Sequence, residues 1–433
     1  MNSVNDRVLR LGLLAVSWVI SGCGAGSAAA DAAPAVGGTN ADDPPPALAS
    51  ASTAGPVGAG ATVTGGTGGE TVRVSTPDQL KHELCRTTSG GVCTDSTPRI
   101  IEIATTIDLT DSEGAATAKG CNATSVCSAP QKSETTLVLS PTVHHCDGKT
   151  LFDTRYSLAA VRGMMVGSNK TVLGIGSAAA VKGKGFQLQS GMSNIVIRNL
   201  SITDINEGLV FGGDGVTIAD ASRVWIDHNR FARIGRQFIV TGTGDHSGAA
   251  SEVTISWNEF DGNSAWSARC DSKHYWNLLF YGKGRLTFAN NWLHDFSGRG
   301  PRVEGDALVH LVNNHFQDGS WHALDSAGST TRVLVEGNYF ENVSLPIMRN
   351  ADAGAVHALL SQTAASKTAC SAALGRNCMP NIADPVPATN NFTEDPEVLV
   401  AAKAAPQGSI ALPYAGAKVP AVVSAGVGVG HVH

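Results

Sequence analysis

Several features that would point elsewhere are missing from this chain of 433 residues. Lys and Arg number 31 against 37 Asp and Glu, a formal charge of −6, so there is no basic field to attract a nucleic acid. The apolar run Leu11 to Ile20 is too short to span a bilayer. No CxxC pair occurs among the nine cysteines, which weakens their reading as metal ligands. Asn-Gly and Asp-Gly turns are few. Neither Asp214-Gly215 nor Asp261-Gly262 separates matching alternating runs, so a sandwich of tight hairpins is not indicated. No cluster of carboxylates accompanies the motifs in the middle of the chain, as the paired acid and base of a glycoside hydrolase would require. Asp42-Asp43 lies in a low-complexity stretch.

What is present begins with an export signature: Arg7 and Arg10, the apolar run, then Ile20-Ser21-Gly22-Cys23. Ending in Cys, the segment resembles a bacterial lipoprotein signal, which implies a lipid on Cys23 and an anchor in the outer membrane. The other reading is an ordinary secretory signal cleaved near Ala28 to Ala30. Residues 24–69 are Ala, Gly, Thr and Pro, with Pro44-Pro45-Pro46 among them; too little apolar area is on offer there, and a flexible tether is expected. Setting Cys23 aside leaves an even number of cysteines, which in an exported chain predicts disulfides, although counting leaves the pairing open. Cys370 and Cys378 are near enough to close a local loop. The expected organisation is a signal over 1–23, the tether over 24–69, one domain over 70–415 and a tail over 416–433, in a monomer.

The domain repeats a short pattern: Ile226-x-x-Asn229-x-Phe231, Ile255-x-x-Asn258-x-Phe260, Phe288-x-x-Asn291-x-Leu293, Leu311-x-x-Asn314-x-Phe316 and Val335-x-x-Asn338-x-Phe340. Each copy is one turn of chain with loops of varying length. Runs such as Val253-Thr254-Ile255 and Val333-Leu334-Val335 are short and β-branched, which excludes a helical solenoid. The all-β architecture that fits is a parallel β-helix. Apolar residues would stack between rungs, with the asparagines at bends near the left-handed region and their amides in ladders.

Gly212 to Phe238 reads GGDGVTIADASRVWIDHNRFARIGRQF, Cys270 to Trp276 reads CDSKHYW, and Ser297 to Phe316 reads SGRGPRVEGDALVHLVNNHF. In order and spacing these blocks resemble polysaccharide lyase family 1, the pectate and pectin lyases. The resemblance runs from about Val72 to Cys378 and takes in DSEGAATAKGC at Asp111 to Cys121 and LGRNC at Leu374 to Cys378. It implies a right-handed single-stranded parallel β-helix with a cleft formed by loops on one side. It also implies disulfides Cys121–Cys146, Cys127–Cys270 and Cys370–Cys378, leaving Cys85 with Cys93. Trp225-Ile226-Asp227-His228 looks like a site, yet it is one rung of the repeat. Neighbouring side chains of a strand face opposite ways, so Asp227 and His228 are expected to be structural.

The family's reaction removes the C5 proton of a galacturonate unit, α to a carboxyl group. If that group stays ionised, the enolate gains a second negative charge close to the first, costing on the order of 4 kcal/mol at about 4 Å and an effective dielectric near 20. Pectate lyases offset this with calcium held by clustered carboxylates, whereas pectin lyases act where a methyl ester has removed the charge. Here the segment after the WIDH rung, ARIGRQFIVTG, carries Arg236 and no carboxylate, while Asp214 remains upstream. The pattern resembles a pectin lyase, with Arg236 standing in the metal's place, paired to Asp214, and no cofactor expected. A calcium-dependent pectate lyase and a non-catalytic carbohydrate-binding β-helix are the alternatives. Arg299, in Ser297-Gly298-Arg299-Gly300-Pro301-Arg302, matches the arginine that the family uses at the C5 proton. Whether it is the base or an electrostatic stabiliser stays open, because a guanidinium does not ordinarily release its proton. Arg302 is placed to hold a neighbouring carboxyl or ester oxygen, its plain alternative being a surface arginine. Tyr275, Trp276 and Trp266 resemble the aromatic cleft wall of pectin lyases, with core stacking the plain alternative for Trp266.

Overall fold

The structure, a computed structural model, describes residues 55–140, 144–242, 248–349, 352–389 and 391–432. The export segment, Cys23 and residues 24–54 of the tether lie outside the described residues. Among those described, parallel strands form sheets of ten, eight and nine members, and successive inner turns of chain add one strand to each sheet in a fixed order. One such turn is Ala221–Asp227 in the ten-stranded sheet, Arg230–Ile234 in the nine-stranded sheet and Ile239–Thr241 in the eight-stranded sheet. The next runs through Ala250–Ser256, Glu259–Asp261 and Leu278–Tyr281. This is a parallel β-helix, right-handed as parallel crossovers are.

Stacking in register explains why the five sequence copies share a pattern. Ile226, Ile255, Phe288, Leu311 and Val335 are successive partners along one sheet. Phe231, Phe260, Leu293, Phe316 and Phe340 are successive partners along another. Both columns are buried and form the interior.

Between them run the asparagines. The Oδ1 of Asn258 accepts from the backbone N–H and Nδ2 of Asn229, at 2.9 and 3.0 Å, and the same double bond repeats through Asn291, Asn314, Asn338 and Asn381. Asn381 is a sixth member that the five-copy pattern does not include. One detail differs from expectation. The left-handed residue is not the ladder asparagine but the residue before it: His228, Trp257, Asn290, Asn313 and Gly337 all have φ between 52° and 62°. The asparagine that follows gives its amide to the ladder.

The domain boundaries also shift. Residues 55–69, expected to belong to the tether, lie along the ten-stranded sheet. Ala59 and Gly60 donate their N–H groups to Thr287 and Thr254, each at 2.9 Å, and Gly65 donates to Asn194 Oδ1 at 2.9 Å. A Cβ at Gly58 would meet Thr287 Oγ1 at 2.2 Å, so the glycine content that reads as flexibility is what lets this backbone lie flat on the sheet. The tail is packed as well. Val419, Val423 and Val427 cover Trp257 and Tyr414, and the Gly430 N–H donates to Asn199 Oδ1 at 2.7 Å. Helix Pro77–Leu84 buries Leu80 and Leu84 in the interior, closing the β-helix at its first turns.

The four disulfides are Cys85–Cys93, Cys121–Cys146, Cys127–Cys270 and Cys370–Cys378, the pairing that the resemblance implies.

Candidate active site

The turns that lead from the nine-stranded to the eight-stranded sheet stack like the strands they join, and they carry the candidate residues. The N–H of Gly215 donates to the Gln237 carbonyl, Phe238 to Asn277, Leu278 to Arg299 and Gly300 to Ala323. Asp214, Arg236, Trp276, Arg299 and His322 therefore occupy neighbouring levels of one column.

Arg299 (φ 46°) sits in a bend fixed on both sides. Ser297 donates its N–H to the His274 carbonyl, and Asn277 Nδ2 donates to the Gly298 carbonyl at 2.8 Å. Gly298 has no room for a side chain, since a Cβ would lie 2.5 Å from the Tyr275 ring. The Arg299 guanidinium carbon lies 4.7 Å from the Trp276 ring centre and 5.8 Å from that of Tyr275. With the Gln237 amide turned so that its nitrogen donates to the Trp276 carbonyl at 3.0 Å, its oxygen accepts from Arg299 Nη1 at 3.2 Å. Burial pushes the Arg299 guanidinium below its ordinary value; Tyr275 and Tyr281 oppose the shift, and the charges of Arg302 and Arg236 add to it to a lesser extent.

The neighbouring arginines are neutralised. Arg236 Nε lies 3.2 Å from Asp214 Oδ1, which also accepts the Gln237 N–H at 2.9 Å, and its guanidinium carbon lies 5.2 Å from the Phe211 ring centre. Arg302 donates to Glu304 Oε2 through Nε and Nη2 and to Asp325 Oδ2 through Nη1 at 2.7 Å. Burial lowers the Arg302 pKa, but the two carboxylates outweigh it and hold the group firmly charged. Arg299, in contrast, has no carboxylate within ion-pair distance among the described residues, and a half-buried guanidinium without one is costly unless the site uses its charge.

The donor set does not suit calcium. The one carboxylate retained at this position, Asp214, is engaged by Arg236, and a hard cation requires several free oxygens.

Of the aromatic residues, Tyr275 and Trp276 meet at Arg299, while Trp266 does not. Its ring covers Gly208 and carries Lys132 at 5.1 Å, on a strand paired with Lys132–Ser133. Asp227 and His228 are buried and bonded to each other at 2.6 Å, with Arg198 and Ser256 also on Asp227, as expected of structural residues. Other residues of the site escape sequence reasoning: Gln237, Trp321, His322, Glu304 and Asp325. The Trp321 ring is tilted against that of Tyr275, with centres 6.1 Å apart, and the buried His322 ring lies edge-on to Tyr275, its pKa pushed down to about 4, chiefly by burial. Glu304 alone had a legible signal, since it follows Arg302 by two residues and so shares its face of the strand.

The family model described as pectate lyase matches residues 149–382. Probable pectin lyase E of Aspergillus fumigatus is 40% identical over 386 residues, covering 87% of this chain and 95% of the relative. Probable pectin lyase F of Neosartorya fischeri is 39% identical over 389 residues, covering 88% and 95%. Among solved structures, a pectate lyase from Bacillus sp. N165 in complex with trigalacturonate aligns with a TM-score of 0.51 at 20% identity, covering 89% of this chain and 99% of that one. A pectate lyase solved for its substrate specificity and anti β-elimination mechanism gives a TM-score of 0.52 at 18% identity, covering 89% and 100%; both likenesses bear on the fold. With one turn of chain setting one level of the site and relatives aligned over most of its length, the chain belongs to the pectate lyase family.

Proposed function

We propose that the chain is a pectin lyase, cleaving internal 1,4-linkages of methyl-esterified galacturonan by β-elimination. The names of the relatives support this substrate, at close to 40% identity. The observation that carries the reading is the set of three neighbouring arginines, two neutralised by carboxylates and the third, the half-buried Arg299, without one.

In the proposed reaction the C5–H bond breaks toward Arg299, its electron pair forms the C4=C5 double bond, and the C4–O bond breaks, the leaving oxygen taking up a proton. The depressed pKa of Arg299 favours a guanidine that can accept the proton. Once it holds the proton, the Arg299 guanidinium stabilises the enolate oxygen that develops. An ester at the reacting carboxyl avoids the second negative charge, worth on the order of a thousandfold in rate for about 4 kcal/mol. Tyr275 and Trp276 offer ring faces to neutral, esterified sugar, and Arg302 a fixed positive group to a neighbouring unit. Elimination and hydrolysis are told apart by the product. A rise in ultraviolet absorbance from the unsaturated end is expected, and new reducing ends without that absorbance would contradict the proposal.

The four disulfides fit an oxidising compartment, and we place the enzyme outside the cytoplasm. Attachment through a lipid on Cys23 and action as a monomer complete the proposal. Incorporation of labelled fatty acid, lost in Cys23→Ala, tests the anchor.

A further inference from the structure

Glu134 is 2% exposed, and no step above uses it. Its Oε2 accepts from Trp276 Nε1 at 2.8 Å, and Trp276 is the ring over Arg299. Its Oε1 lies 3.8 Å from His274 Nδ1, and His274 Nε2 donates to the Arg236 carbonyl at 2.7 Å. One carboxyl thus faces supports of both arginines that the reaction relies on. The 262–277 loop that carries Trp276 and His274 is tied to the Glu134 segment by the Cys127–Cys270 disulfide and by pairing of Trp266–Ser267 with Lys132–Ser133.

The charge balance favours a neutral carboxyl beside a neutral imidazole. His274 is buried and neutral, its pKa pushed down to about 4, and the bond to Arg236 puts its proton on Nε2. Its Nδ1 lies on the carboxyl side, 3.8 Å from Glu134 Oε1, and offers no positive charge to a carboxylate. Burial pushes the Glu134 carboxyl up to about 8, with Asp271 adding to the shift and the Trp276 bond opposing it. The charged and titratable groups around it are His274 and Asp271 on the loop and Arg299 over the Trp276 ring; Lys132, in its own segment, lies over Trp266 instead. Ionisation would leave a buried charge with one N–H donor, a cost relieved by admitting water or by drawing Arg299 inward, and either movement displaces Trp276.

We propose that Glu134 is a positioning residue for the elimination site: protonated, its carboxyl holds the Trp276 ring over Arg299 and packs against His274, which is itself bonded to the backbone of Arg236. The inference rests on the site assigned above. The test compares wild type, Glu134→Ala and Glu134→Gln on methyl-esterified pectin from about pH 5 to about pH 9, with folding checked by near-ultraviolet circular dichroism. Glu134→Ala should lose about tenfold or more in kcat, a misplacement effect. Glu134→Gln, neutral at every pH, should recover most of that loss and keep its rate above about pH 8, where wild type declines. Equal kcat and KM in Glu134→Ala and wild type would overturn the proposal, as would a Glu134→Gln profile that declines with wild type. If Glu134→Ala does not fold, the Glu134→Gln profile decides. A readout free of activity separates this inference from the functional one. The Trp276 emission, taken as wild type minus Trp276→Phe, should change near pH 8 and stay constant in Glu134→Gln. The same change persisting in Glu134→Gln would overturn the role of Glu134 even in an active enzyme.

Discussion

At the scale of single residues, Arg299 is distinguished from Arg236 and Arg302 by what it lacks. Arg299→Lys keeps a charge but loses the planar fork that the Gln237 amide and the Trp276 ring hold in place. Its kcat/KM should fall by about a hundredfold or more, with the melting temperature nearly unchanged, since the side chain closes no ion pair. Near-full activity in a folded Arg299→Lys protein would remove it from the mechanism. Glu134 sets a stability trend of known sign. Its folded pKa, about 8, lies above the ordinary 4.5, so its contribution is complete below about pH 4.5 and is lost as the pH rises to about 8. Glu134→Gln should flatten that slope in melting temperatures taken at about pH 5 and about pH 8, and an unchanged slope would contradict it. Arg299, Arg236 and Asp214 were legible because each sits within a motif. Glu134 and His322 were not, because an acid 142 residues before its Trp276 partner leaves no local pattern.

Among the elements, the repeat is where sequence and structure agree most closely, and the reason is register. A strand displaced by one residue would turn its apolar column outward, so the spacing of Ile, Asn and Phe has to persist through loops of any length. The position of the left-handed residue was not legible, since His, Trp, Asn and Gly all serve there and share no chemistry. The ladder gives a direct test. Asn291→Ala removes the acceptor of two buried donors, the backbone N–H and Nδ2 of Asn258, and the donor to the Ile255 carbonyl. A loss of about 2–4 kcal/mol is expected in denaturant unfolding, against under about 1 kcal/mol if the ladder were incidental.

For the whole molecule, composition misled at the start of the domain. Residues 55–69 look like linker because they are rich in small residues, yet small residues are what a backbone lying flat on a sheet requires. The long-range disulfide belongs to this scale too. Cys127–Cys270 closes a loop of 143 residues and Cys370–Cys378 one of 8, so loop entropy assigns them about 5 and about 2.5 kcal/mol. The paired Ser variants should differ in that order by thermal unfolding, and a larger loss from the short loop would show that strain or packing dominates. In the proposed function, charge at the reacting carboxyl is removed by the substrate's ester, with Arg236 and Asp214 occupying each other where a cation would otherwise be held. The measurement that tests this most directly is the initial rate of unsaturated-product formation on highly methylated pectin and on polygalacturonate, each with and without excess chelator. Faster cleavage of the methylated polymer, with most of the rate surviving chelation, is the predicted result; preference for polygalacturonate with activity abolished by chelator would contradict it.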